Sequence, residues 1–223
     1  MRKAFLLLLL LASTVSAQEA IRDNSFFIEE AYNQPPGVVQ HITTFDRRRG
    51  GGWAASFTQE WPAFSQRHQV SYSVPVSDGD LGDVALNYRY QLLGVEGGPV
   101  AFAPRLSVLL PTGDDSSTAL QVNLPLSVDL NERFAAHSNA GATFADSDST
   151  ITLGQSVVWL AAPKFNVLLE ATWNEEDQFL VSPGIRWAHD FPSGLQIVPG
   201  LAFPIANGGD RGVFLYLSFE HPF

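Results

Sequence analysis

From Trp53 onward the chain falls into segments of about ten residues in which every second residue is apolar, the period of a pleated strand with one apolar face. Leu120, Val122, Leu124, Leu126, Val128 and Leu130 alternate with Gln121, Asn123, Pro125, Ser127 and Asp129. Val84, Leu86, Tyr88, Tyr90 and Leu92 alternate in the same way with Ala85, Asn87, Arg89 and Gln91. Such segments lie near residues 38–46, 53–62, 66–76, 83–93, 100–111, 118–130, 133–144, 150–161, 164–174, 179–189, 194–204 and 212–223, separated by clusters of Gly, Asp, Asn, Ser and Pro. The pattern predicts an all-β domain of about twelve antiparallel strands, an even number of the length that crosses a bilayer at a tilt. Pro104, Pro125, Pro183 and Pro199 fall inside these segments, where a missing N–H calls for a bulge.

Periodicity does not distinguish a barrel with its apolar face outward from a soluble periplasmic sandwich or lipocalin-like barrel with that face inward. Composition favours the membrane. Apolar residues make up an ordinary 45% but charged residues only 16%, against roughly 25% in a soluble domain. No run after the first residues is long enough for a spanning helix, so a membrane form crosses as strands. Closure into a barrel also removes the sheet edges.

The connections divide into a compact set (63–65, 131–133, 162–164, 190–194) and a charged set (46–52, 77–82, 113–117, 146–149, 174–178, 207–211). Short periplasmic turns and outer loops alternate in this way in outer-membrane barrels, which places both barrel ends on the periplasmic side. Trp53, Trp61, Phe134, Phe144, Trp173, Trp187 and Phe223 gather at segment ends, where aromatic rings suit the lipid boundary.

Met1-Arg2-Lys3, the apolar run from Ala4 to Ala12 and the small residues Val15 and Ala17 read as a cleaved secretory signal. The expected organisation is a signal peptide at 1–17, a periplasmic or plug segment at 18–37 and the barrel at 38–223. The net charge is −10, and −12 without the two cations of the leader, which makes nucleic acid a poor partner. With no cysteine, neither a disulfide framework nor a lipoprotein anchor is available.

Several stretches resemble a family of bacterial outer-membrane transporters associated with the meta-pathway of phenol degradation. They are Ser-Phe-Phe-Ile-Glu-Glu-Ala-Tyr-Asn-Gln at 25–34, Gly-Val-Val-Gln-His-Ile at 37–42 and Phe-Thr-Gln-Glu-Trp-Pro at 57–62. Further matching words run over 66–72, 81–90 and 103–113. The resemblance implies an outer-membrane barrel of a Gram-negative envelope that passes small hydrophobic or aromatic compounds. It carries over no catalytic or binding residue. The last segment, ending at Phe223, is similar to the terminal signal read by the barrel-assembly machinery, with His221 as a departure.

With the apolar set facing lipid, the opposite set lines the lumen: Glu60, Arg67, Arg89, Arg105, Asp129, His137, Glu170, Arg186 and Glu220. Expected pairs are Glu60 with Arg67 and Glu170 with Arg186, leaving Glu220 to a partner elsewhere. This is either a satisfied internal network or a polar constriction that selects solutes. The segment 24–36, with Phe26, Phe27, Glu29 and Glu30, is more apolar than a free tail. It reads as a plug in the periplasmic mouth whose carboxylates meet lumen arginines, or as a periplasmic extension.

Arg47, Arg48 and Arg49 offer contacts to lipopolysaccharide phosphates. The acidic loop residues are taken as solvated, and no metal or cofactor is expected. His137-Ser138 tempts a hydrolase reading, but on a strand the two point to opposite faces. The chain is therefore expected to be no enzyme but a monomeric, passive channel for small solutes. The rivals are a structural barrel with a closed lumen and a soluble periplasmic binding protein.

Overall fold

A computed structural model describes residues 25–48, 51–113, 117–146, 148–175 and 178–223. The expected signal peptide, Arg49 and the acidic residues Asp114, Asp115, Glu176 and Asp177 lie outside the described residues. The chain folds as twelve strands, five of them interrupted once. They are β1 (Val38–Arg48), β2 (Trp53–Ala63), β3 (Ser65–Ser77), β4 (Asp80–Leu81 with Val84–Tyr90), β5 (Val100–Phe102 with Arg105–Leu110) and β6 (Ala119–Asn123 with Leu126–Asn131). There follow β7 (Phe134–Ala145), β8 (Asp148–Ala162), β9 (Phe165–Asn174), β10 (Phe179–Trp187 with His189–Asp190), β11 (Gln196–Ala202 with Ile205–Ala206) and β12 (Gly212–Pro222).

Each strand pairs antiparallel with its neighbours in sequence, and β1 closes onto β12 from Val38↔Pro222 to Arg48↔Gly212. The sheet is a closed barrel with no free edge. Strand boundaries follow the alternation closely because each strand lasts as long as one face stays apolar. The prolines act where a ladder bond is missing. Pro104 and Pro125 sit in the interruptions of β5 and β6, and their carbonyls still accept bonds from Tyr90 and Ala103, at 3.0 and 3.2 Å. Pro183 and Pro199 stay inside β10 and β11.

The side chains settle which face is inside. Along β12, Val213, Leu215 and Leu217 are exposed while Phe214, Tyr216 and Ser218 are buried. Along β9, Leu169 is 53% exposed and its neighbour Glu170 wholly buried. Leu86, Leu106, Leu120, Leu153 and Phe203 continue the exposed apolar belt around the barrel. A belt of this extent is suited to lipid and not to water. A soluble sandwich or lipocalin-like barrel needs the reverse arrangement.

The connections depart in part from the expected contrast. The end carrying both barrel termini has tight turns such as Phe64, which adopts a left-handed φ of 60° between β2 and β3. Yet that end also holds the long 91–99 connection between β4 and β5. The alternation had run on to residue 93 because Leu92 and Leu93 prolong the apolar pattern. At the other end the β3–β4 hairpin turns on Asp78 and Gly79 alone, both with positive φ.

Candidate functional site in the barrel lumen

Residues 25–36 precede β1 and run inside the barrel, from the turn end to about mid-height. They form no ladder with the wall, so their backbone donors need side-chain acceptors. The wall supplies them. Glu170 Oε1 on β9 accepts from the N–H groups of Phe26, Phe27 and Ile28 at 3.1, 3.0 and 3.1 Å. Asn139 Oδ1 accepts from Glu29 N at 2.8 Å and Ser127 Oγ from Ala31 N at 2.9 Å. Gln91 Oε1 and Gln69 Oε1 accept from Asn33 N and Gln34 N at 3.0 and 2.7 Å.

The wall is also hollowed for the segment. A Cβ at Gly154 on β8 would collide with Ile28, and one at Gly184 on β10 or Gly200 on β11 would collide with Phe26. Phe26 and Phe27 pack against the inward rings Phe214 and Tyr216, at centroid distances of 4.6–5.7 Å. Val198, Ala202 and Ile42 complete this apolar cluster, which lies inside the barrel and not between two sheets.

The two carboxylates of the segment meet lumen cations. Glu29 sits between Arg89 at 3.1 Å and Arg105 at 2.9 Å and accepts from Asn123 Nδ2 at 2.7 Å. Glu30 lies 3.6 Å from Arg186 and 3.7 Å from His137, with Ser25 Oγ donating to it at 3.2 Å. Arg89 further donates to Asn33 Oδ1 and the Glu30 carbonyl at 2.9 and 3.1 Å. Charges taken out of water this far persist only when paired and hydrogen-bonded, and here one partner of each pair is on the segment.

Two expected wall pairs are therefore replaced. Glu60 accepts from Gln69 at 2.7 Å instead of meeting Arg67, whose guanidinium donates to the Gln91 carbonyl at 3.4 Å. Glu170 binds the segment backbone and Arg186 faces Glu30, because the register sets Glu170 opposite Ser182 and Arg186 opposite Asn166, four residues along the strand. Asp129 is reached by Tyr32 Oη at 3.5 Å, and Glu220 stands opposite Gln40 and Gln196.

Arg47 and Arg48 face opposite sides of β1. β1 extends through both, so they alternate: Arg48 turns inward beside Asp46 at 3.6 Å, and Arg47 lies on the outer face between Trp53 and Val213. His137 faces the lumen, with Nδ1 2.8 Å from Ser127 Oγ, whereas Ser138 bonds Gln155 at 2.6 Å on the outer face. Attention to charge alone passed over the neutral acceptors Asn139, Ser127, Gln69 and Gln91 and the three glycines. Their signal was position, since each is a polar residue or a glycine on the inward face or strand end of an otherwise ordinary strand.

Above Phe27 and Ile28, toward the end opposite both barrel termini, the lumen widens into a cavity of about 640 Å3. Its wall carries Gln121, Asn123, Asn139, Thr152, Thr172 and Asn174, and its rim Gln178, Asn207 and Asp210. Arg105 lies at its floor, already facing Glu29.

No protein-family model matches the chain, and no curated protein matches it. Solved structures do. The COG4313 outer-membrane channel from Pseudomonas putida F1 is similar over 90% of this chain and 100% of its own, with 13% identity and a TM-score of 0.63. The KdgM porin is similar over 82% of this chain and 99% of its own, with 8% identity and a TM-score of 0.62. The NanC porin covers 82% of this chain and 100% of its own, with 11% identity and a TM-score of 0.58. At such identities the likeness is one of fold: this chain has the closed twelve-stranded antiparallel barrel of outer-membrane channels and porins.

Proposed function

We propose that this protein is a passive outer-membrane channel for small solutes whose bore is set by its own N-terminal segment. The observation that carries it is the inverted arrangement: a belt of apolar side chains outside and a hydrogen-bonded polar lumen inside, open above Phe27 to a cavity of about 640 Å3. A barrel of twelve strands lies between the side-chain-filled eight-stranded size and the open porins. A resident segment then decides what passes. Aromatic compounds, the class implied by the family resemblance, would meet the apolar groups Phe27, Ile28, Leu180 and Ala206 among amides and hydroxyls. A ring bearing hydroxyl groups is the aromatic solute this wall suits.

Proteoliposome swelling with neutral solutes of graded size tests the channel. Swelling that falls with solute size is expected. No swelling with any solute would favour the second reading, a structural barrel with a closed lumen, for which the many bonds fixing residues 25–36 speak.

A further inference from the structure

We propose that the outer rim of the seam between β1 and β12 binds a phosphate of lipopolysaccharide, the glycolipid of the outer leaflet, through Arg47 and Arg211. The contact lies on the lipid side of the wall and does not depend on whether the bore conducts.

The first support is the placement of charge. The loops at the end opposite both barrel termini carry the carboxylates Asp78, Asp80, Asp146, Asp148 and Glu175. Among the described residues the cations at that end are Arg47, Arg48 and Arg211, all where β12 closes onto β1. Arg48 turns inward beside Asp46 at 3.6 Å, which leaves two cations for the outside. A phosphorylated lipid surface therefore meets guanidinium groups directly at this corner, and carboxylates at the other loops.

The second support is register. Residues opposite one another in an antiparallel pair share a face. Arg47 stands opposite Val213 on β12 and Trp53 on β2, and Val213 is exposed in the outer belt. Arg211 bridges Ile205, another exposed member of that belt, and precedes Val213 by two residues. The two arginines are thus diagonal neighbours across the seam, a separation of roughly 7–8 Å that long side chains span. Arg211 is fixed in place on both sides, since Gly212 N–H donates to the Pro204 carbonyl and Ala206 N–H to the Asp210 carbonyl, both at 2.8 Å. A Cβ at Gly212 would lie 3.2 Å from the Arg47 carbonyl, so glycine lets β12 begin close against β1. Both arginines are exposed, while the adjacent carboxylates of Asp46 and Asp210 are on the lumen side. A planar guanidinium presents paired N–H donors to phosphate oxygens.

The third support is what lies below the charges. Phe45 stacks on Trp53 at 6.0 Å, and Val213, Leu215 and Ile205 continue the apolar surface. Cations directly above an apolar belt suit an anion that carries acyl chains, whereas free phosphate has no use for the belt.

The test is native mass spectrometry of the refolded full-length barrel in detergent with EDTA, which removes divalent bridges to the acidic loops. The ligands are lipid A with both phosphates, lipid A stripped of them, and inorganic phosphate. The variants are Arg47→Gln, Arg211→Gln and, at the turn end, Arg133→Gln, each confirmed as a barrel by its heat-shifted gel band. Phosphorylated lipid A should bind more tightly than the stripped form, and each of the two rim substitutions should weaken it roughly three- to tenfold, with Arg133→Gln unchanged. Equal affinity for the two lipid A forms, an unchanged affinity in Arg47→Gln or in Arg211→Gln, or an equal loss in Arg133→Gln would each overturn the proposal. Inorganic phosphate binding as tightly as lipid A would overturn it too, because the site would then be one for a free anion.

Discussion

Replacing Glu170 by alanine removes the acceptor of three N–H groups at once, in a place where water does not reach. Leaving buried donors unsatisfied costs about 1–3 kcal/mol each. Glu170→Ala is therefore expected to lower the urea midpoint of unfolding by more than Glu170→Gln, whose amide oxygen still accepts, and equal effects would contradict the role given to that oxygen. Gly200→Val tests the hollow for Phe26. Its extra methyl groups meet the ring, and overpacking of this kind costs about 1–3 kcal/mol. The companion substitution Phe26→Ala should restore part of that loss. A double variant no more stable than Gly200→Val would break the link. At this scale the sequence was half legible. Lumen charges stood out at inward positions, but Arg186 with Glu30 and Glu29 with Arg89 are pairs between a strand and a segment without periodicity, so alternation names the face and not the partner.

Among the elements, the strands were the most legible, because lipid on one side imposes a two-residue period from β2 to β12. Pro104 and Pro125 marked the interruptions of β5 and β6, but those of β4, β10 and β11 and the 91–99 connection were not legible, since the pattern runs on through them while the ladder changes. The segment 25–36 has no such period. Its extended path is fixed by side-chain acceptors scattered over β3, β6, β7 and β9 and by Gln91 just after β4. The chain contains no cysteine, which gives a clean probe of that path. With Ile28→Cys and Gly154→Cys introduced together, oxidation should form an intramolecular disulfide, seen in the mass of the linked peptides, because Ile28 Cγ1, where a cysteine sulfur would sit, lies 3.7 Å from the place of a Cβ at 154. The pair Ile28→Cys with Leu153→Cys, whose second residue faces outward, should not cross-link.

For the molecule as a whole, the account divides every strand into a lipid face and a lumen face. Leu169→Arg places a charge in the outer belt, where cost depends on depth and reaches about 2–4 kcal/mol at the bilayer midplane. Unfolding in liposomes should register that loss, while Thr172→Arg on the lumen face of the same strand should cost less. Comparable losses at both positions would argue against an outer lipid belt. The apolar outside and the polar inside follow from one alternation, but only the side-chain burial tells them apart. The central claim, that the N-terminal segment sets the bore, is tested most directly by single-channel conductance in planar bilayers with residues 24–36 deleted. Given a variant that retains the heat-shifted band of a folded barrel, conductance should rise well above that of the full chain, and an unchanged conductance would contradict the claim.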